Sequence, residues 1–193
     1  MLAACSWWVH GVGPTAARAA LRASSTNLDN LQHGRLLVLA TSALWVPSVT
    51  PTSAVLLVVV LLAVVAPLER RIGTIRWLAA FAAGQVGATV LVAAGLFVGI
   101  RMGSLNPAVA GDIDVGWSYA VYSLAGVFAF TLPGRRRAPF LTLLLGGPLV
   151  AFGAAPNYVD VGHALGATIG IVLGPRLVSA RAQQDAKRGW SGI

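Results

Sequence analysis

The feature that most constrains this chain is an apolar stretch, Trp77–Ile100, whose 24 residues include no charged side chain. As a helix it is long enough to cross a hydrocarbon core of about 30 Å, at a rise of about 1.5 Å per residue. The rest of the chain is similar, because 56% of its 193 residues are hydrophobic and only 10% are charged. A soluble domain carries about a quarter charged residues. We therefore predict an all-α fold, a polytopic transmembrane helical bundle.

Besides Trp77–Ile100, four apolar segments are predicted to span the membrane, which gives five clear spans plus a weak N-terminal one. The four are Ser53–Pro67, Val115–Leu132, Pro139–Ala155 and Val159–Val178. Within one of them, the sequence Gly146-Gly147-Pro148 predicts a kink.

The N-terminal part of the chain is less regular. Residues 1–22 are interrupted by polar residues, glycines and a proline, and they lack the charged start of a secretory signal. Leu36–Val46 is apolar, but its 11 residues are too few to span a bilayer, so we predict a re-entrant or interfacial helix. We expect a single domain over residues 1–193, with its core at 26–178 and a basic tail at 179–193.

The 14 Lys and Arg residues divide unevenly between the two predicted sides. Ten lie on one side, at Arg70, Arg71, Arg76, Arg135, Arg136, Arg137, Arg176, Arg181, Lys187 and Arg188. By the positive-inside rule, that side and the C-terminus are cytoplasmic, in a multi-pass protein of the cell membrane. The net charge of +8 is thus explained by membrane topology. We expect membrane lipids as partners and no nucleic acid.

A metal site is not expected from the residues. Cys5 is the only cysteine, which excludes an intrachain disulfide and a thiolate cluster. The three histidines, His10, His33 and His163, lie in unrelated sequence contexts.

Two polar residues, Ser118 and His163, lie near the outer ends of two predicted spans that run in the same direction. Both are about 5–8 Å below the start of their helices, so the two side chains can meet if the helices pack. A hydroxyl is a weak nucleophile that needs a base within hydrogen-bond reach, and a neutral imidazole is the usual base. The pair therefore predicts a Ser-His dyad for acyl transfer.

The glycine pattern favours close packing of these two helices. Gly162, Gly166, Gly170 and Gly174 recur every four residues and form a ridge of small residues on one helix face. The partner span offers Gly116, Ser123 and Gly126.

Three nearby residues have more than one interpretation each. Tyr122 lies four residues after Ser118 on the same helix face, where it either stacks on His163 or simply fills the bundle. Asp114 and Asp160 each begin an Asp-Val-Gly sequence, and either cap their helices or flank the site. Asp160 precedes His163 by three residues and could also orient the ring.

Each member of the dyad also has a structural interpretation. Ser118 could bond the backbone of its own helix. His163 could bond a neighbouring helix without any catalytic role.

These residues resemble the motifs of the rhomboid intramembrane serine proteases, most closely a divergent rhomboid-like branch. The nucleophile motif GxSG is similar to Gly116-Trp117-Ser118-Tyr119, followed by Tyr122 and Gly126. The AHxxGxxxG motif of the general base is similar to Gly162-His163, followed by Gly166 and Gly170. The turn LERRIGTIR, together with Arg35 and Leu36–Val46, extends the resemblance over residues 26–178.

The resemblance implies a six-span bundle that cleaves single-span membrane proteins near the outer face without a metal or cofactor. Three departures bear on activity, of which the first is the weak N-terminal span. Tyr119 replaces the second glycine of GxSG, and the positions of two oxyanion-stabilising side chains of the second span are taken by Ser53 and Leu57. A catalytically inactive relative that binds or chaperones membrane helices is therefore the alternative to a protease. A transporter is the weakest interpretation, because no charged residue falls in the middle of a span.

Overall fold

The computed structural model describes residues 13–45 and 51–190, with side chains described over 13–45 and 55–181. The first helices are α1 (Pro14–Ser24), α2 (Leu28–Gln32) and α3 (Val38–Thr41), and α3 continues into a 3-10 turn at Ser42–Leu44. Next come α4 (Pro51–Val60), a π-helical turn (Leu61–Val65), α5 (Ala66–Ile72) and α6 (Thr74–Arg101). After a 3-10 turn at Pro107–Gly111, the chain forms α7 (Ser118–Phe128), a 3-10 turn (Ala129–Thr131), α8 (Gly134–Ala154) and α9 (Tyr158–Trp190). Within these ranges there is no strand, so the predicted all-α fold is confirmed.

The chain divides into two compact units. The first comprises residues 1–50 and 89–118, and the second comprises residues 51–88 and 119–193. The chain passes from one unit to the other at residues 50–51, within α6 and at the start of α7. The expectation of a single domain stays a prediction.

Membrane-spanning character is concentrated in three helices. Among the described residues, Thr74–Arg101, Gly134–Ala154 and Tyr158–Arg181 are long and apolar enough to cross a bilayer, whereas the apolar helix Ser118–Thr131 is shorter. The predicted span Ser53–Pro67 lies in the succession of α4, the π turn and α5, of 10, 5 and 7 residues. With these apolar helices, the protein is embedded in a membrane.

The longest predicted span is the one that the structure reproduces most closely. α6 has 28 residues and begins three residues earlier than Trp77. Gly73 separates it from α5 with φ at +83°, a conformation that favours glycine, and its N–H donates to the Glu69 carbonyl at 2.8 Å. The Thr74 hydroxyl donates to the Glu69 carboxylate at 2.9 Å, which further fixes the turn.

The helix in the predicted span Val115–Leu132 is shorter than the prediction, because α7 starts only at Ser118. Gly116 has φ at +128° and donates its N–H to the Ser42 carbonyl at 2.9 Å. A residue in that conformation cannot belong to a right-handed helix. The helix therefore begins after the segment that carries Asp114 and Gly116.

The helix α8 runs from Gly134 to Ala154. At Gly146-Gly147-Pro148, where a kink is predicted, the helix is continuous. The basic sequence at residues 134–137, expected as a turn, forms the first turn of the helix. Only 6% of the most apolar stretch of this helix is buried within the protein. Leu143 and Val150 are 77% and 73% exposed, as befits residues that face lipid.

The N-terminal predictions fall partly outside the described residues, since residues 1–12 and 46–50 are not described. Within the predicted weak span at residues 1–22, α1 starts with Pro14 at its first turn and buries Ala17. In the described part of the predicted segment Leu36–Val46, residues 36–45, the helical pieces are short. Leu37 within it is 82% exposed.

The second unit has a continuous apolar core. Leu68, Ile72, Leu124 and Val127 are at most 1% exposed, and they pack with Val65, Ala80 and Phe128. These residues come from the π turn and helices α5, α6 and α7. They fix the helix that carries Tyr119 and Tyr122 against its neighbours.

Candidate active site

His163 lies one and a half turns into α9, close to the start of that helix. The Asn157 side chain accepts the Val159 N–H at 2.9 Å, and the Asp160 N–H donates to the Asn157 carbonyl at 3.1 Å. Asn157 therefore caps the helix, and the interpretation of Asp160 as the cap is not supported. Asp160 lies in the first turn, where a carboxylate interacts favourably with the helix dipole.

The imidazole of His163 is held by two tyrosines of α7. The Tyr122 ring stacks on it, with centroids 4.5 Å apart and planes at 19°. The Tyr119 ring meets it edge-on, with centroids 5.6 Å apart and planes at 75°. Two aromatic contacts from different directions restrict the ring more than either does alone.

Asp160 approaches the same ring from its own helix. Its Oδ1 lies 3.8 Å from His163 Nδ1, and both side chains are largely buried, at 20% and 18% exposed. That distance is too long for a direct hydrogen bond. Asp160 thus acts on the imidazole through its charge, while the tyrosine rings make the close contacts.

Glycines allow the backbone of α7 to lie directly against α9. A Cβ at Gly166 would meet the Tyr119 carbonyl oxygen at 2.5 Å, and a Cβ at Gly170 would overlap the Ser123 carbonyl. Gly126 makes the reciprocal contact from α7, where a Cβ would meet the Ala167 carbonyl at 2.5 Å. These three of the predicted packing glycines thus lie at the contact between the two helices.

The two outer glycines of the ridge accommodate aromatic rings. A Cβ at Gly162 would overlap the ring of Tyr119, and one at Gly174 would overlap the ring of Phe130. Gly162 therefore makes room for the side chain that meets the imidazole edge-on.

Ser118 is the first residue of α7 and is exposed. It precedes Tyr119 by one residue and Tyr122 by about one turn. Its backbone follows Gly116, whose positive φ turns the chain before the helix begins. The pairing of Ser118 with His163 as a dyad stays a prediction.

Two features of this region were not expected from the sequence. The first is the place of Tyr119, which stands at the second glycine position of GxSG: it is 2% exposed and its ring lies against Gly162 and the imidazole. Its spacing of three residues from Tyr122 is the signal that could have shown it, because residues three apart share a helix face.

The second unexpected feature is the role of Asp114, which does not cap α7. Its carbonyl accepts the Thr26 N–H at 2.9 Å, and its N–H donates to the Ser25 hydroxyl at 2.8 Å. These partners lie in the linker before α2. No local pattern around Asp114 indicates them.

Among the residues that the structure describes, no group of three or more His, Cys, Asp or Glu side chains is placed to hold a metal ion. The expectation of a metal-independent and cofactor-independent site stays a prediction.

The comparison with known proteins addresses the family. Residues 1–184 match the family model described as rhomboid-like protein. No curated protein and no solved structure gave a significant match. Because the matched segment covers nearly the whole chain, and because the fold is an all-helical set of apolar helices, this protein belongs to the rhomboid-like family of membrane proteins.

Proposed function

We propose that this rhomboid-like protein is an intramembrane serine endopeptidase that cleaves single-span membrane proteins, with Ser118 as nucleophile and His163 as general base. The observation that carries the proposal is the position of the His163 ring, which is held by Tyr122 at 4.5 Å and by Tyr119 at 5.6 Å. Both tyrosines belong to the helix that begins at Ser118. One helix thus carries the nucleophile and the groups that orient its base.

The reaction follows from these roles. Ser118 Oγ attacks the carbonyl carbon of the scissile peptide bond while His163 removes the hydroxyl proton. The protonated imidazole then gives that proton to the leaving amine, the C–N bond breaks, and an ester to Ser118 remains. His163 next deprotonates a water molecule, which attacks the ester and releases the carboxyl product. The proton returns from the imidazole to Ser118.

The orientation of the imidazole is what the tyrosines contribute. A general base must hold one ring nitrogen within hydrogen-bond reach of the proton that it removes. A ring free to rotate spends little time in that geometry, and a displacement of about 1 Å can cost about a hundredfold in rate. The contacts on the face and the edge of the ring reduce this freedom.

The proposed location is the cell membrane, with the C-terminus in the cytoplasm. The support is the uneven distribution of Lys and Arg, ten of 14 on the side of the C-terminus. Substrate helices would enter from the surrounding lipid, and cleavage would take place near the outer face. The orientation is tested by fusing, after Ile193, a reporter that is active only in the cytoplasm. We expect this fusion to be active.

The test of catalysis is covalent labelling by a fluorescent fluorophosphonate, with the full chain in liposomes. The wild type should be labelled, Ser118→Ala should not be, and His163→Ala should be labelled much more slowly. Ser104→Ala is the matched control, because its hydroxyl bonds the Gly99 carbonyl in an exposed loop. Labelling of Ser118→Ala at the wild-type rate would refute the assignment of the nucleophile.

A second candidate function is that of an inactive relative that binds or chaperones membrane helices. It is favoured by Tyr119, which occupies the second glycine position of the nucleophile motif, and by the apolar Leu57, where a polar oxyanion donor is expected. Loss of such a donor costs about a hundredfold to a thousandfold in rate. In this case Ser118→Ala would retain the cellular phenotype, whereas a bulky residue at Gly166 or Gly170 would abolish it.

A further inference from the structure

The segment before α7 is tied to the linker between α1 and α2 by a buried set of hydrogen bonds. We infer that Thr26 and Ser25 are positioning residues for Ser118, which they hold in place through Asp114. The inference rests on the proposed function, because it assigns these residues a task in the reactivity of the proposed nucleophile.

The contacts of Asp114 are several and short. Its carbonyl oxygen accepts the Thr26 N–H at 2.9 Å, the Thr26 hydroxyl at 3.0 Å and the Ser25 hydroxyl at 3.1 Å. Its carboxylate Oδ2 also lies 3.2 Å from the Thr26 hydroxyl, and its N–H donates to Ser25 Oγ at 2.8 Å. We name this set of bonds the Asp114 clasp.

The two linker residues that take part in the Asp114 clasp are buried. Ser25 is 0% exposed and Thr26 is 4% exposed. A buried hydroxyl that loses its partner is left with an uncompensated cost of desolvation, so these bonds resist opening. The Asp114 backbone is therefore fixed in both directions, as donor and as acceptor.

The linker is itself fixed by Asn30. The Asn30 amide donates to the Ser25 carbonyl at 2.8 Å and to the Arg22 carbonyl at 2.9 Å. Its side-chain oxygen Oδ1 accepts a bond from Arg35 Nη1 at 3.1 Å, and its backbone N–H donates to Asn27 Oδ1 at 2.9 Å. The clasp thus holds Asp114 against a rigid support and not against a mobile loop.

Two residues after Asp114, Gly116 makes the second attachment. Its N–H donates to the Ser42 carbonyl at 2.9 Å, and Ser42 is 0% exposed. With φ at +128°, Gly116 turns the chain so that α7 starts at Ser118. Both attachments lie within four residues of Ser118, so they determine where the first turn of α7 begins.

The alternative is that the clasp contributes only to folding. In that case its removal lowers stability and leaves the reactivity of the folded protein unchanged. If it positions Ser118, removal slows the reaction of protein that is still folded. Reactivity and stability must therefore be measured on the same samples.

The experiment compares two substitutions of one residue in the full chain in liposomes. Thr26→Val has nearly the same shape but removes the hydroxyl, whereas Thr26→Ser retains it. We expect the rate of fluorophosphonate labelling to fall about threefold to tenfold in Thr26→Val, the factor that corresponds to one ordinary hydrogen bond, and to stay near the wild-type rate in Thr26→Ser. The melting temperature of each sample is recorded in parallel.

The matched control is Thr131→Val, because the Thr131 hydroxyl also donates to a carbonyl, that of Phe128 at 2.8 Å. It should leave the labelling rate unchanged. Wild-type labelling in a folded Thr26→Val protein would overturn the inference and leave the proposed function intact. Loss of folding in both Thr26→Val and Ser25→Ala would also overturn it, because the clasp would then maintain the fold and not the serine.

A separate measurement covers the case in which the wild type is not labelled and the proposed function fails. In a Cys5→Ser, Ser118→Cys protein, a methanethiosulfonate reagent reports the reactivity of position 118 without catalysis. Thr26→Val should change that rate about threefold or more, and Thr26→Ser should not. Equal rates in the three proteins would refute the positioning role.

Discussion

The phenol ring of Tyr122 lies nearly parallel to the imidazole of His163, with 4.5 Å between the ring centroids and 19° between the planes. The Tyr119 ring meets the same imidazole at 75°. The histidine near the start of α9 is thus positioned by the helix that begins at Ser118.

This stacking predicts a graded response to substitution of Tyr122. Tyr122→Phe keeps the aromatic face and should label with fluorophosphonate at close to the wild-type rate. Tyr122→Ala removes an aromatic contact that contributes about 0.5–1.5 kcal/mol, and it leaves the His163 imidazole freer to rotate. Labelling should therefore slow by about twofold to tenfold or more. Labelling rates of purified, folded protein in liposomes provide the measurement. Equal rates for Tyr122→Ala and the wild type would show that the stack does not orient the base.

The contact between α7 and α9 predicts a sharp cost for side chains at Gly170. A Cβ there would overlap the Ser123 carbonyl, which belongs to backbone and cannot rotate away. We expect Gly170→Ala to destabilise the protein by at least about 1–3 kcal/mol, the usual cost of overpacking. Thermal unfolding in detergent, followed by circular dichroism, measures it.

The matched control for Gly170→Ala is Gly146→Ala. Gly146 also lies within a long helix, and a Cβ there would have nothing within 4 Å. This control should leave the melting temperature unchanged or raise it, because alanine favours a helix over glycine by about 0.5–1 kcal/mol. Equal melting temperatures for the two variants would contradict the close packing.

The sequence predicts the helical class and the long apolar helices well, because hydropathy and helix length are local properties. The match between the expected Trp77–Ile100 and the observed Thr74–Arg101 shows this. The spacing of Tyr122 from Ser118 is likewise a local property, and it puts the two residues on one helix face.

Long-range contacts account for what the sequence does not predict. The start of α7 depends on Asp114, whose hydrogen-bonding partners Ser25 and Thr26 lie 89 and 88 residues earlier in the chain. The helix cap at Asn157 is a different case. Asparagine is a strong capping residue, and aspartate is another, so the local sequence alone does not distinguish Asn157 from Asp160 as the cap.

The conformation of Gly116 predicts that a side chain at this position is harmful. At φ +128° an alanine is strained, at a cost of about 1–3 kcal/mol. If the backbone relaxes, the N–H bond to the Ser42 carbonyl is lost as well. Gly116→Ala should therefore lower the melting temperature and slow fluorophosphonate labelling.

The control for Gly116→Ala is Gly95→Ala, within α6, where a Cβ would have nothing within 4 Å. It should stabilise the protein slightly, by about 0.5–1 kcal/mol. A Gly116→Ala protein with wild-type melting temperature and labelling rate would show that this turn tolerates a β-carbon.

The support of the linker predicts that Asn30 is sensitive to loss of its amide nitrogen. In Asn30→Asp, a carboxylate oxygen replaces the group that donates to the carbonyls of Arg22 and Ser25 at 2.9 Å and 2.8 Å. Asn30 is only 7% exposed, so water cannot compensate. We expect a loss of about 2–3 kcal/mol or more, because an acceptor then faces two acceptors. Asn106→Asp is the matched control, since Asn106 uses its carbonyl oxygen to accept the Ala108 N–H at 2.9 Å, a bond that aspartate retains. If the two variants unfold at the same temperature in detergent, Asn30 does not support the linker in the way that its hydrogen bonds indicate.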